Sequence, residues 1–105
     1  MRESRASATI FAALGDETRL RLVARLCAGP MSITGLTGGT RLTRQAITKH
    51  LHVMQSAGLV RSTRNGRACL WQLEQRRLRE ARQYLDAISR EWDDAIGRLR
   101  KFVED

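Results

Sequence analysis

The residues equipped for covalent or metal chemistry are His50, His52, Cys27, Cys69 and eleven carboxylates. Side chains two positions apart on a helix point roughly 160° away from each other, so the two histidines cannot share one ion. The cysteines stand 42 positions apart, which matches neither a disulfide framework nor a zinc site. A thiol switch needs a low-pKa thiolate beside a resolving thiol, and nothing in the sequence brings Cys27 to Cys69. Cys27 is expected to pack near the end of a helix, and Cys69 on the inner face of a hairpin. Hydrolysis or group transfer needs a nucleophile, base or metal set converging on one cleft. Here both histidines fall in one segment and the carboxylates are confined to the two ends of the chain. The sequence therefore reads as a non-enzyme, with no metal and no cofactor.

The chemistry it does offer is polyanion recognition. The net charge is +8, and its distribution says more than its sum. No acidic residue lies between Glu17 and Glu74, a stretch that holds Arg19, Arg21, Arg25, Arg41, Arg44, Lys49, Arg61, Arg64 and Arg67. From Glu74 onward, eight cations meet eight anions. An acid-free block beside a balanced one is the footprint of a polyanion-binding half and a structural half. Seventeen of the 19 cations are arginine, which suits bidentate phosphate and guanine contacts. A membrane-surface role would need bulky apolar anchors on a basic amphipathic helix, and the basic block has none.

Within that block, TRQAITKHLHVMQSA (43–57) plots as a helix with two faces. Ala46, Ile47, His50, Leu51, Val53 and Met54 share one arc. Arg44, Gln45, Thr48, Lys49, His52 and Gln55 fill the other, with two cations, two amides, a hydroxyl and no carboxylate. Thr43 is a suitable N-cap. A helix of this kind docks by its apolar side and offers donors to phosphates and base edges. His50 is expected to be packed and hydrogen-bonded, and His52 to face the polar arc, within reach of phosphate.

The flanking elements must position that helix. Residues 1–8 are polar and expected to fray, and 10–14 form a short apolar stripe of Ile10, Phe11 and Leu14 closed by Gly15. That stripe is too short for a signal peptide or a membrane span, so the chain is expected to be cytoplasmic, with no membrane partner. Asp16 can cap a helix over 17–28 that buries Leu22, Val23 and Leu26 and turns its arginines outward, stopped by Gly29-Pro30. Ser32 can cap a short helix through Ile33 and Leu36 that ends at Gly38-Gly39. Short helix, glycine-containing turn and amphipathic helix over 32–57 make a helix-turn-helix. Gly58 ends the last of these, and two β-prone runs, 59–63 and 68–73, flank Asn65-Gly66, the pair preferred in type I′ hairpins. Pairing Arg64 with Arg67 sets Ser62 opposite Cys69 and Val60 opposite Trp71. Val60, Cys69 and Trp71 then face inward, Arg64 and Arg67 lie at the tip, and Arg61 lies lower down. The segment 58–73 reads as a basic wing.

From 75 to 102, Leu78, Leu85, Trp92 and Leu99 recur every seven residues, with Ala81, Ile88, Ala95 and Phe102 between them. This a/d pattern holds for about four heptads. A domain of 105 residues buries only roughly 65% of its unfolded surface, and Trp92 on a long terminal helix is hard to hide in a monomer. With Ile10, Phe11 and Leu14 (9–15), the helix over 75–103 is expected to form a two-fold dimer interface. Asp86 with Arg90 and Asp94 with Arg98 are expected ion pairs along it. The fold class is thus mainly α with a small β-hairpin, one winged helix-turn-helix domain over 1–105.

With these elements in place, the chain resembles the ArsR-type family of bacterial winged-helix regulators. The matching stretches are LGDETRLRLVARL, ITGLTGGTRLTRQAITKHLHVMQSAGLV, the NGRACLWQL wing and the long last helix, nearly the whole chain. The resemblance implies a homodimer on double-stranded DNA that binds a partly palindromic operator and usually represses transcription. It implies that Arg44, Gln45, Thr48 and Lys49 read the major groove, and that His50 is more structural than base-reading. Arsenic- and cadmium-sensing members carry a Cys-x-Cys pair where this chain has Ser32 and Thr34. Zinc- and nickel-sensing members use His with Asp or Glu on the last helix, which here has no His and no Cys. The family's metal-sensing mechanisms therefore do not transfer. Two other readings compete with the repressor: a winged-helix interaction module for an acidic protein, and a repressor with a small-molecule pocket at the dimer interface. The sequence names neither the operator nor any effector.

Overall fold

A computed structural model describes the backbone of residues 2–104 and the side chains of residues 5–104. The order is α1 (Arg2–Leu14), α2 (Glu17–Leu26), α3 (Ile33–Thr37), α4 (Arg44–Ser56), β1 (Val60–Asn65), β2 (Ala68–Leu73) and α5 (Gln75–Glu104). The architecture is a winged helix-turn-helix with a long C-terminal helix.

Three N-caps set the helix starts. Asp16 accepts from the Arg19 amide at 3.0 Å, Ser32 from Gly35 at 3.1 Å and Thr43 from Ala46 at 3.1 Å. All three caps have extended backbone, so their side-chain oxygens reach amides that the first turn leaves unpaired. The helix over 17–28 ends earlier than its sequence suggests, at Leu26, with Cys27 as C-cap. Cys27 is exposed there rather than packed.

The chain's start differs from expectation. Residues 2–8 do not fray but form the first two turns of α1; Met1 lies outside the described residues. The reason is tertiary: α1 lies along the first half of α5, with Ser7 buried and the Phe11 and Tyr84 rings 6.2 Å apart. Small side chains at Ala6 and Ser7 allow that approach without an apolar stripe to advertise it.

Ile10, Leu22, Leu36, Ile47, Leu51, Met54 and Leu59 form the fully buried centre, with Leu26, Val60, Trp71 and Ala81 around it. Residues from α1, α2, α3, α4, the wing and α5 thus meet in one core. The buried residues of α4 are Ile47, Leu51 and Met54. Val53, placed on the apolar arc by the helical wheel, is 45% exposed because the docking stripe is narrower than the arc.

The hairpin pairs two residues away from the expected register. Asn65 faces Ala68, Arg64 faces Cys69, Ser62 faces Trp71 and Val60 faces Leu73. The two-residue turn is Gly66-Arg67, in which only Gly66 takes positive φ, at 66°. A type I′ turn on Asn65-Gly66 would require positive φ at Asn65 as well; a glycine-first turn needs it only where Cβ is absent. Because each partner moves by two positions, the inward set keeps its parity. Val60 and Trp71 still face the core, but Cys69 lies beyond it and is exposed. Met31 adds a one-residue bridge to β2: its N–H donates to the Trp71 carbonyl at 2.9 Å, and the Trp71 N–H donates back at 2.8 Å.

α5 starts against the core and then leaves it. Ala81 is buried and Leu78 half-buried, while Leu85, Ile88, Trp92, Leu99 and Phe102 are exposed, Trp92 by 66%. Its ion pairs form in the first turns, from Arg76 and Arg77 to Glu80. The expected Asp86–Arg90 and Asp94–Arg98 pairs do not form among the described residues. Side chains in water gain little from such pairing.

α1, α2 and α4 meet at a polar joint. The Arg19 Nε donates to the Ala13 carbonyl, its Nη1 lies 3.4 Å from His50 Nδ1, and Asp16 Oδ2 lies 3.9 Å from the same nitrogen. The backbone N–H of Arg19 holds the Asp16 carboxyl below its usual 3.8, aided by the charges of Arg19 and His50 and opposed by partial desolvation. A carboxyl whose pKa falls on folding stabilises the fold above its unfolded value, and loses that contribution as pH drops through the folded value. Stability is therefore expected to decline below pH 3.8. Asp16→Asn, which keeps a capping oxygen, should flatten that decline in acid-denaturation curves; an identical decline would contradict the linkage.

Gly58 joins α4 to β1 at φ +80°, and a Cβ there would sit 3.1 Å from Arg77 Cγ at the start of α5. Gly58→Ala is expected to lower the unfolding free energy by about 1–2 kcal/mol, read as an earlier denaturant midpoint. An unchanged midpoint would show that the junction tolerates a side chain.

Candidate nucleic-acid interface

The exposed face of α4 carries Arg44, Gln45, Lys49 and His52, preceded by the exposed cap Thr43. Thr48 is half-buried and its hydroxyl donates to the Arg44 carbonyl at 2.7 Å, which leaves its oxygen lone pairs as acceptors. The Arg44 guanidinium does not hang free: its Nη1 donates to Thr34 Oγ1 on α3 at 2.7 Å. The His52 ring lies 6.1 Å from the Trp71 ring, tilted by 48°, so this residue borders the root of the wing. The Trp71 indole N–H is buried without an acceptor among the described residues.

The wing's three arginines are not equivalent. Arg64 and Arg67 lie exposed at the tip without a partner among the described residues. Arg61 is tied back at the root, 3.8 Å from Glu74, and the Gln72 amide oxygen accepts from its guanidinium once the amide is turned to suit. The first carboxylate to bound the basic block is likewise engaged, Glu17 pairing with Arg21 at 2.6 Å.

The arginines of α2 do not all turn outward. Arg21 does, but Arg19 and Arg25 are half-buried. Arg25 donates to the carbonyls of Gly35, Leu36 and Gly38, at 3.1, 2.8 and 2.7 Å. A five-residue helix has almost no internal hydrogen bonding to sustain it, and one guanidinium satisfies the carbonyls at its end. No local sequence signal marks this role, since the partners are backbone atoms ten to thirteen positions away.

Of the residues expected at a dimer seam, Ile10 and Ala81 are spent on the protomer's own core, and Phe11, Leu14 and Leu78 pack partly against it. Leu85, Ile88, Trp92 and Leu99 are exposed along α5, with Ala95 half-buried between them. Ser32 and Thr34 serve as cap and as Arg44 acceptor. Among the described residues, no three of His, Cys, Asp and Glu converge as a metal-binding group. No described helix is long and apolar enough to cross a membrane.

A family model for a helix-turn-helix domain matches residues 14–63. The chain is 32% identical over 92 residues to the HTH-type transcriptional regulator Rv2034 of Mycobacterium tuberculosis, covering 88% of this chain and 83% of that one. It superposes on an ArsR-like transcriptional regulator from Rhodococcus sp. RHA1 with a TM-score of 0.85 and 31% identity, covering 97% and 96% of the two chains. A second relative, an ArsR family transcriptional regulator designated RHA00566, superposes with a TM-score of 0.76 at 24% identity over 86% of this chain and 93% of that one, a likeness of fold. The charge distribution, the helix-turn-helix with its wing and these relatives agree: the chain belongs to the ArsR-type family of winged helix-turn-helix regulators, DNA-binding transcriptional regulators rather than enzymes.

Proposed function

We propose that this protein is a homodimeric repressor, acting in the cytoplasm on a partly palindromic operator in double-stranded DNA. The observation that carries this reading is the exposure of Arg44, Gln45 and Lys49 on α4 and of Arg64 and Arg67 at the wing tip, within a stretch of chain that holds no carboxylate from 18 to 73. In this reading the first two turns of α4 enter the major groove, where Arg44 and Gln45 meet base edges and Thr43, Thr48, Lys49 and His52 help to fix register on sugar and phosphate. The wing arginines lie along the neighbouring phosphates. Arg61, engaged with Glu74, contributes field more than contact. The apolar run of Leu85, Ile88, Trp92, Ala95 and Leu99 supports a two-fold seam, and two-fold symmetry places two copies of α4 on half-sites about one helical turn apart.

Two variants separate reading from anchoring. Gln45→Ala is expected to cost about 1–3 kcal/mol at the operator and to relax preference at one base pair. Arg64→Ala should weaken operator and scrambled DNA alike and flatten the salt slope by about one unit. An Arg64→Ala protein with unaltered affinity and slope would remove the wing from the interface. If wild-type binding is salt-sensitive but blind to sequence, the interaction module for an acidic partner becomes the better reading.

The seam has a separate test. Trp92→Asp places a charge at the centre of the apolar run and is expected to give monomers in sedimentation, where the wild type gives dimers. A dimeric Trp92→Asp protein would locate the contact elsewhere.

A further inference from the structure

We propose that Thr34, on α3, is a specificity-determining positioning residue, whose hydroxyl holds the Arg44 guanidinium in its base-reading pose before DNA arrives. This rests on the reading of α4 as the groove-entering helix. Thr34 Oγ1 accepts from Arg44 Nη1 at 2.7 Å, between two exposed side chains ten positions apart. Most exposed arginines have no such anchor, and a long side chain fixed in one rotamer gives up less freedom when it binds.

The anchor is itself fixed. α3 is capped at its start by Ser32, and its closing carbonyls at Gly35, Leu36 and Gly38 accept from Arg25. Leu36 is fully buried next to the docked face of α4. Thr34 therefore sits on a short helix held at both ends, and its own carbonyl accepts from the Thr37 hydroxyl at 2.8 Å. Arg44 stands at the first position of α4, where its side chain has no preceding helical turn to lean on. The cross-helix bond supplies that support from α3.

The stoichiometry of donors fits the role. A guanidinium has five N–H donors, and Thr34 takes one from Nη1. Nη2 and Nε keep three, enough for a bidentate contact to the O6 and N7 of a guanine. Thr34 orients the fork and leaves its reading edge free. It makes no base contact of its own in this scheme, so its effect should appear only through Arg44.

The test compares wild type, Thr34→Val, Thr34→Ser, Arg44→Ala and the Thr34→Val/Arg44→Ala double variant on operator and scrambled duplexes. Valine keeps the β-branched shape on an exposed face, and an unchanged melting transition checks that α3 is intact. Thr34→Val is expected to weaken operator binding by about three- to tenfold and to relax preference at the same base pair that Arg44→Ala relaxes. Affinity for scrambled DNA and the salt slope should stay as in the wild type, Thr34→Ser should restore both affinity and preference, and Thr34→Val should add nothing once Arg44 is alanine. Undiminished operator binding by Thr34→Val, while Arg44→Ala loses preference, would overturn the proposal and leave the α4 reading standing. Additive losses, or an equal loss on scrambled DNA, would also overturn it. A wild type without operator preference would overturn the α4 reading, and this inference with it.

Discussion

The structure depends on the seating of α4. Ile47, Leu51 and Met54 are fully buried, and they lie against a core to which α1, α2, α3, the wing and the root of α5 each contribute. Because these three residues repeat at helical spacing on one stripe, their burial fixes the rotation of α4 about its axis. That rotation turns Arg44, Gln45, Lys49 and His52 to solvent. A substitution that left a cavity under Leu51 would disturb the outer face without touching it, since cores this closely packed transmit volume changes. The presentation of that polar face is an outcome of core packing.

Around that seat, polar groups perform two separable tasks. Asp16, Ser32 and Thr43 start the helices, while Arg19 and Arg25 close the ends of α1 and α3 through backbone carbonyls. Cations counted as part of a basic field are thus partly structural. What remains unengaged at the surface, Arg64, Arg67 and Lys49 among others, generates the field that attracts a polyanion. The two carboxylates that bound the acid-free stretch of sequence each stand beside an arginine, Glu17 by Arg21 at 2.6 Å and Glu74 by Arg61 at 3.8 Å.

Much of this was legible in the residues themselves. The three caps, the glycine after α4 and the α4 docking stripe follow from local chemistry, because an N-cap or a helical period is decided within a few residues. The heptad pattern of α5 was equally plain, although part of the seam expected from it, Ala81 with Ile10, belongs to the protomer's own core. What escaped was decided at a distance. The helical start of α1 depends on α5, the bridge from Met31 to Trp71 depends on two segments forty positions apart, and the engagement of Arg25 depends on carbonyls in another element. The hairpin register turned on one backbone angle: Asn65-Gly66 suggests a turn that needs positive φ twice, and the chain instead takes one that needs it only at Gly66. The Thr34–Arg44 bond left no trace in the sequence, because an exposed threonine near an exposed arginine is unremarkable until both helices are in place.

The central claim is that the α4 face reads DNA sequence. The most direct measurement is a footprint of the purified full chain on the DNA upstream of its own gene, at moderate salt and without added metal. The account predicts protection of an inverted repeat whose half-site centres are about one helical turn apart. Diffuse retention that fades with salt and protects no defined site, there or in selection from random duplexes, would contradict it.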